Sequence, residues 1–205
     1  MLADTMIRHA LSEEEQSFRL VIDPFPHDTQ FQPASVDLRL GGEFKQFSVP
    51  LNARNAEPLD PLSSYPDSWV STTKIPTELG EASAAFILDP GVFTLATTLE
   101  RVKIPNNLVA RVEGKSSLAR LGLLVHVTAG FIDPGFHGTI TLEMMNLSPR
   151  PIDLTVGMRI CQLSFSRVDG RVERPYGHPA LRSKYQGQQG VTEARPDAEN
   201  KQWKK

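Results

Sequence analysis

A carboxylate in the middle of an apolar strand needs a reason, and this chain has one at Glu143. From Thr139 to Met145 the residues alternate, with Ile140, Leu142 and Met144 on one face and Thr139, Thr141, Glu143 and Met145 on the other. Burying a carboxylate is costly unless it is paired or hydrogen-bonded. Glu143 is therefore either a proton-transfer group facing a pocket or an exposed glutamate on an edge strand or open barrel wall. Upstream, Gly114-Lys115-Ser116-Ser117 supplies a flexible residue, a cation and two hydroxyls, and Leu118-Ala119-Arg120-Leu121 fits one helical turn stopped by Gly122. Such a turn suits phosphate through its free N–H groups, or it is a plain structural turn. It is not a P-loop, which would need glycine at position 109, where this chain has Val109. Between the two, Asp133-Pro134-Gly135 carries turn chemistry, with Asp133 either opening the turn or meeting a sugar hydroxyl.

The elements that must position these groups read mainly as β. Leu123, Val125 and Val127 alternate with Leu124, His126 and Thr128, predicting a strand that ends at Gly130, with His126 a strand residue whose ring is satisfied. Val36, Leu38 and Leu40 alternate in another, and Val92 to Leu99, Leu108 to Val112, Ile152 to Val156 and Met158 to Phe165 supply more. Short strands punctuated by glycine and proline favour a barrel or sandwich over a parallel sheet. Asp4 is positioned to cap a helix over Thr5 to Leu11, and Ser12 with Glu15 fits a second capping box. The prolines between Pro50 and Pro76 predict an irregular surface excursion. Residues 175–190, with glycines 177, 187 and 190 among Tyr176, Lys184, Tyr185 and Gln188, fit a segment that folds over a ligand, or a mobile surface tail. The polar run 193–205 is expected to be disordered. No internal repeat divides the chain, so 1–192 reads as one domain.

Composition narrows the function classes. A net charge of −2 over 205 residues argues against a general nucleic-acid binder, so any triphosphate must be attracted by local Lys and Arg. No apolar run approaches the roughly 18 residues of a membrane span, and nothing resembles a signal peptide. The lone Cys161 fits a reducing cytoplasm. The zinc-dependent nucleobase deaminases carry His-x-Glu and Pro-Cys-x-x-Cys signatures, and neither is present. The five histidines, His9, His27, His126, His137 and His178, show no ligand spacing.

Taken together, Gly114-Lys115-Ser116-Ser117-Leu118-Ala119-Arg120-Leu121-Gly122, His126-Val127-Thr128-Ala129, Ile132-Asp133-Pro134-Gly135-Phe136 and Thr141-Leu142-Glu143 resemble the dCTP deaminases of the dUTPase-like superfamily. Ser35 to Gly41, Arg174-Pro175-Tyr176 and Ser183 to Gly190 extend the likeness over most of residues 1–192. The resemblance implies a distorted β-barrel or jelly-roll subunit with a few short helices, in a homotrimer whose nucleotides sit between neighbouring chains. It implies Glu143 as general base and acid, assisted by Ser116 and Arg120. Lys115, Ser117, Leu118, Ala119, Phe136, Thr141, Leu142, Gln162, Tyr176, Lys184 and Gln188 are implied nucleotide contacts, and Asp133 reads the deoxyribose 3′-hydroxyl.

The implied reaction adds water to C4 of cytosine and expels ammonia, converting dCTP to dUTP. One group must take a proton from water and return protons to the ring nitrogen and the departing amine, and a carboxylate can do both. Catalytic zinc is not expected, and Mg²⁺ would arrive on the triphosphate. Ala129-Gly130-Phe131 is similar to the bifunctional branch that proceeds to dUMP and pyrophosphate, a small residue at Gly130 leaving room for a second water. A dUTP diphosphatase without deamination, or a noncatalytic regulator binding dCTP or dTTP, remain the alternatives.

Overall fold

In the computed structural model, which describes residues 1–47, 58–77 and 85–196, the chain is almost entirely β. Helix α1 (Asp4–Ser12) leads into strands β1 (Val21–Asp23), β2 (Phe31–Gln32), β3 (Ser35–Phe47), β4 (Val70–Lys74), β5 (Ala85–Leu88), β6 (Phe93–Lys103) and β7 (Leu108–Gly114). The short helix α2 (Ser116–Ala119) is followed by β8 (Leu123–Leu124), β9 (Phe131–Ile132), β10 (His137–Asn146), β11 (Ile152–Thr155) and β12 (Arg159–Arg167). One curled sheet runs β8-β10-β6-β3-β12-β7-β9, with β1, β2 and β4 pairing beside it. β5 and β11 pair separately. The expected distorted barrel with few short helices is the observed architecture.

Strand β3 turns the corner. Its first half pairs with β12 and its second with β6 and β4, and the register with β6 shifts between Leu40 and Phe44. Gly41 and Gly42 sit in that shift. A Cβ on Gly42 would lie 2.0 Å from the Ile75 carbonyl oxygen, and one on Gly41 2.7 Å from Thr97 Cγ2, so only glycine lets the strands cross this closely.

The core takes the apolar faces predicted for it. Val36, Leu38, Leu40, Leu142 and Met144 are buried, and Phe44 stacks on Phe86 at 4.0 Å between centroids. The opposite face of β3 is also covered, so Ser35 and Asp37 are buried polar residues.

Several local expectations differ. Asp4 lies inside the first turn of α1 rather than capping it; Ala3 holds the N-cap, and the Asp4 carboxylate accepts from the Thr5 N–H. Ser12 ends this helix, its hydroxyl donating to the His9 carbonyl, and Glu13 to Ser17 form bends and a turn instead of a second helix. The alternation from Leu123 to Thr128 yields only the two-residue β8, because the chain beyond Leu124 leaves β10. His126 is consequently in no strand, and its buried Nδ1 has no hydrogen-bond partner among the described residues. Within the proline-rich excursion, 50–57 lie outside the described residues, while Val70–Lys74 pairs with β3 rather than staying irregular. Of the supposed tail, 193–196 is described and engaged, and 197–205 lies outside the described residues.

Candidate active site

Strand β10 forms one wall of a cavity of ≈360 Å³. Glu143 is partly buried on that wall beside Thr141, with Leu95 opposite it on β6 also facing the space. Among the described residues no hydrogen bond or ion pair engages the Glu143 carboxylate. Phe47, Phe93 and Phe131 add apolar and aromatic surface, a lining suited to a flat ring with a few polar groups to orient it.

Asp133 enters from the turn it opens. The Phe136 N–H donates to the Asp133 carbonyl at 3.2 Å, and Gly135 has φ +91, so Asp133-Pro134-Gly135-Phe136 is a type II turn. The backbone need is thereby met without the Asp133 side chain, which lines the cavity with Phe136. Phe136 meets Tyr176 edge to face at 5.7 Å.

The segment after Tyr176 is docked, not loose. The Thr139 N–H donates to the Gln188 carbonyl and the Gly187 N–H to the His137 carbonyl. Gln188 Nε2 donates to the Thr139 carbonyl at 2.7 Å, and Gln186 Nε2 to the Gly135 and Tyr176 carbonyls. Farther on, Lys45 pairs with Glu193 at 2.9 Å, and Thr192 and Ala194 reach the cavity wall. The Tyr65 hydroxyl, beside Glu193, is pushed up by burial and by that carboxylate. Gly138 (φ +145) makes the docking possible, since a Cβ there would stand 2.8 Å from the Gln188 carbonyl oxygen. Gly138→Ala is expected to lift the segment and to speed hydrogen exchange at the Thr139 and Gly187 amides at least about tenfold; unchanged protection would contradict this.

Glu143, Thr141, Asp133, Phe136, Tyr176, Gln188 and Ala129 thus converge on one cavity. Leu142 does not: its side chain is fully buried in the core, leaving only its backbone. Gly130 is absent from the cavity lining, and packing explains it. A Cβ there would be 2.9 Å from the Val112 carbonyl oxygen and 3.1 Å from the His126 ring. Lys184 is also off the cavity wall; its carbonyl accepts from Arg195.

The other predicted residues gather elsewhere. Ser116, Ser117, Ala119 and Arg120 are exposed on and just after α2, Leu118 packs on the core, and none lines the cavity. Gln162 stands behind this turn, donating to the Gly114 carbonyl and accepting from the Ser35 hydroxyl. Lys115 Nζ is 2.6 Å from the buried Asp37 carboxylate. Arg159 approaches the same carboxylate at 3.5 Å while donating to the Thr29 carbonyl. Asp37 and Arg159 were not among the sequence candidates. One chain therefore carries two separate groups, a carboxylate-lined cavity and a cation-and-hydroxyl loop.

Among the described residues, no three His, Cys, Asp or Glu side chains group as a metal site, and no helix is long and apolar enough to cross a membrane. Burial pushes the Cys161 thiol far up, so it stays a neutral core side chain.

Known proteins give this geometry its context. The chain is 46% identical over 190 residues to the dCTP deaminase, dUMP-forming, of Methanosphaera stadtmanae, covering 93% of this chain and 90% of that one. It is 44% identical over 195 residues to the protein of the same name from Dictyoglomus thermophilum, covering 95% and 94%. To the dCTP deaminase of Natronomonas pharaonis it is 45% identical over 196 residues, again covering 95% and 94%. The crystal structure of 2′-deoxycytidine 5′-triphosphate deaminase from Agrobacterium tumefaciens superposes with a TM-score of 0.57 at 23% identity, covering 88% of this chain and 51% of that one, a likeness of fold. The sequence profile described as dCTP deaminase-like matches residues 1–168, and with these relatives it places the chain in the dCTP deaminase-like family.

Proposed function

We propose that the protein hydrolyses dCTP to dUTP and ammonia and continues in the same site to dUMP and pyrophosphate. The observation that carries this reading is the Glu143 carboxylate, without a hydrogen bond or ion pair among the described residues, on the wall of a cavity large enough for a nucleoside, with Asp133 on the same lining. Glu143 takes a proton from water as it adds to C4, passes it to N3, and delivers the second proton to the departing ammonia. Asp133 accepts from the 3′-hydroxyl. Ser116 and Arg120 orient water and offset developing charge, a contribution of about 3 kcal/mol for one preorganised donor. Ser117 and Lys184 meet phosphate, and Mg²⁺ comes with the triphosphate as part of the substrate.

A homotrimer completes the site. The loop that bears Ser116 and Arg120 lies off the cavity of its own chain, so the loop of a neighbouring chain closes each cavity in this reading. The setting is the cytoplasm, where dCTP is available and Cys161 stays reduced.

Product identity is the finer point. Relatives named dCTP deaminase, dUMP-forming and dCTP deaminase match at nearly equal identity, and Ala129 on the cavity wall fits the dUMP-forming branch. Incubation of purified protein with dCTP and Mg²⁺, with ammonia, dUTP, dUMP and pyrophosphate resolved, is expected to give equal ammonia and dUMP. Accumulating dUTP restricts the reading to deamination. Consumption of dUTP with untouched dCTP would replace it with a diphosphatase, and binding without turnover with a regulator, whose ligand would be dCTP or dTTP.

A further inference from the structure

Backbone bonds dock Gly187 and Gln188 on β10, but beyond Gly190 side chains hold the chain. The Thr139 hydroxyl donates to the Gly190 carbonyl, and the Thr192 N–H donates to the Thr141 hydroxyl oxygen at 3.4 Å, both on β10. The next residue, Glu193, pairs at 2.9 Å with Lys45 on β3, and β6 lies between those two strands. Glu43, Lys45 and Phe47 share one face of β3 by its period of two. They meet this chain in turn: a Cβ on Gly190 would stand 2.5 Å from Glu43 Oε2, Lys45 holds Glu193, and Phe47 lines the cavity with Ala194. The Tyr65 hydroxyl is 3.5 Å from the second Glu193 oxygen, and its ring meets Phe47 edge to face at 5.3 Å. Lys45 pairs in register with Leu95, and Leu95 with Glu143, so the ion pair and the candidate base belong to one row across three strands.

We infer that Lys45 and Glu193 are positioning residues of the cavity: their ion pair clasps the chain across β6, so that Thr192 and Ala194 stand as a wall that retains the nucleotide. This rests on the deaminase reading for what fills the cavity. Thr192 and Ala194 line the cavity while Glu193 between them turns to β3, the alternation of an extended segment. The clasp therefore grips the wall from the one position that points away from the ligand. Neither Lys45 nor Glu193 lines the cavity, so the pair acts through its neighbours and not on the nucleotide. The two side chains are only 19% and 29% exposed, so losing either partner leaves a mostly covered charge unpaired. Net stability does not explain such a pair, because covered ion pairs roughly break even against apolar replacements; what it supplies is a fixed geometry.

The test compares wild type, K45M, E193Q, the K45M/E193Q double variant and the charge exchange K45E/E193K in dCTP turnover, dCTP affinity by calorimetry, hydrogen exchange and Tm. Opening the wall frees the bound nucleotide without touching Glu143. K45M and E193Q should therefore each raise KM and weaken dCTP at least about fivefold, the lower end of typical linkage, with kcat no less than about half of wild type. The double variant should be no worse than the poorer single by more than about twofold, and the charge exchange should return affinity to within about threefold of wild type. Linkage is reciprocal, so dCTP should slow exchange at the Thr192 amide at least about fivefold more in wild type than in E193Q. A merely structural pair would lower Tm and leave KM and affinity as in wild type. A kcat below the stated bound would put the pair in the chemistry itself. Either outcome overturns the inference. Should K45M fail to fold, E193Q decides by affinity and hydrogen exchange, because Glu193 lies outside the strands of the sheet. If wild type binds dCTP without turning it over, the deaminase reading fails, yet affinity and hydrogen exchange still decide the clasp; if it binds only dUTP, the same comparison is made with dUTP.

Discussion

Glu143→Gln should abolish almost all deamination while sparing the nucleotide complex. The substitution preserves shape and one acceptor oxygen but removes the proton-accepting carboxylate, for which a loss of at least about 10²-fold in kcat is expected. Fold effects should be small. Among the described residues the carboxylate makes no hydrogen bond or ion pair, and it sits at a partly buried position whose neighbours on the core face, Leu142 and Met144, carry the packing. Asp133, Phe136, Tyr176 and Gln188 remain on the cavity wall to hold the nucleotide. Calorimetry with dCTP should therefore give an affinity within about threefold of wild type beside the collapsed rate, the pattern of a group that acts in the transition state. Turnover within about threefold of wild type would remove Glu143 from the mechanism. Loss of binding together with turnover would make it a ligand contact instead.

How much of this was legible beforehand depends on how local each signal is. The faces of β10 follow from a strict period of two, so Leu142 inward and Glu143 toward the cavity were both readable, and the inward face of Leu142 leaves only its backbone for a nucleotide contact. The Asp133 turn was equally local, since proline and glycine fix its type. Where a pattern is local but its partner is distant, the sequence misled: Leu123 to Thr128 alternates like a strand, yet the chain leaves β10 after pairing at only two positions, and His126 ends with a buried Nδ1 that finds no hydrogen-bond partner among the described residues. Asp4 has capping chemistry, as do Ser12 and Glu15 for a second helix, but α1 is capped by Ala3 and runs from Asp4 to Ser12, and bends and a turn follow it in place of a second helix. Least legible were the buried carboxylates. Asp37 and Glu100 are both fully buried, and their partners come from remote positions: Lys115 for the first, Arg39 and Gln30 for the second. No spacing rule links residues so far apart in sequence. Gln162 was identified only through the family likeness, and its hydrogen bonds put it behind the loop.

Mixing two dead variants should restore activity, and this follows from the separation of the two groups within one chain. Arg120→Ala removes the exposed cation of the loop and should reduce turnover at least about 10²-fold, as losing one preorganised donor does. Glu143→Gln disables the cavity and leaves the loop intact. If a cavity used the loop of its own chain, every chain in a mixture would carry one lesion and every site would stay inactive. With loop and cavity drawn from neighbouring chains, a site is whole when an Arg120→Ala chain provides Glu143 and a Glu143→Gln chain provides Arg120. In closed ring trimers formed at random from equal amounts, that arrangement arises at about one site in four, so roughly a quarter of wild-type activity is expected after the two proteins are unfolded and refolded together. Each variant refolded alone controls for recovery, and dilution of the mixture tests that the restored activity belongs to a stable assembly. Activity no higher than the average of the two separate variants would mean that each site is built within one chain. The loop would then have to swing from its place beside β8 to the β10 cavity when nucleotide binds, dragging Lys115 off Asp37 as it goes.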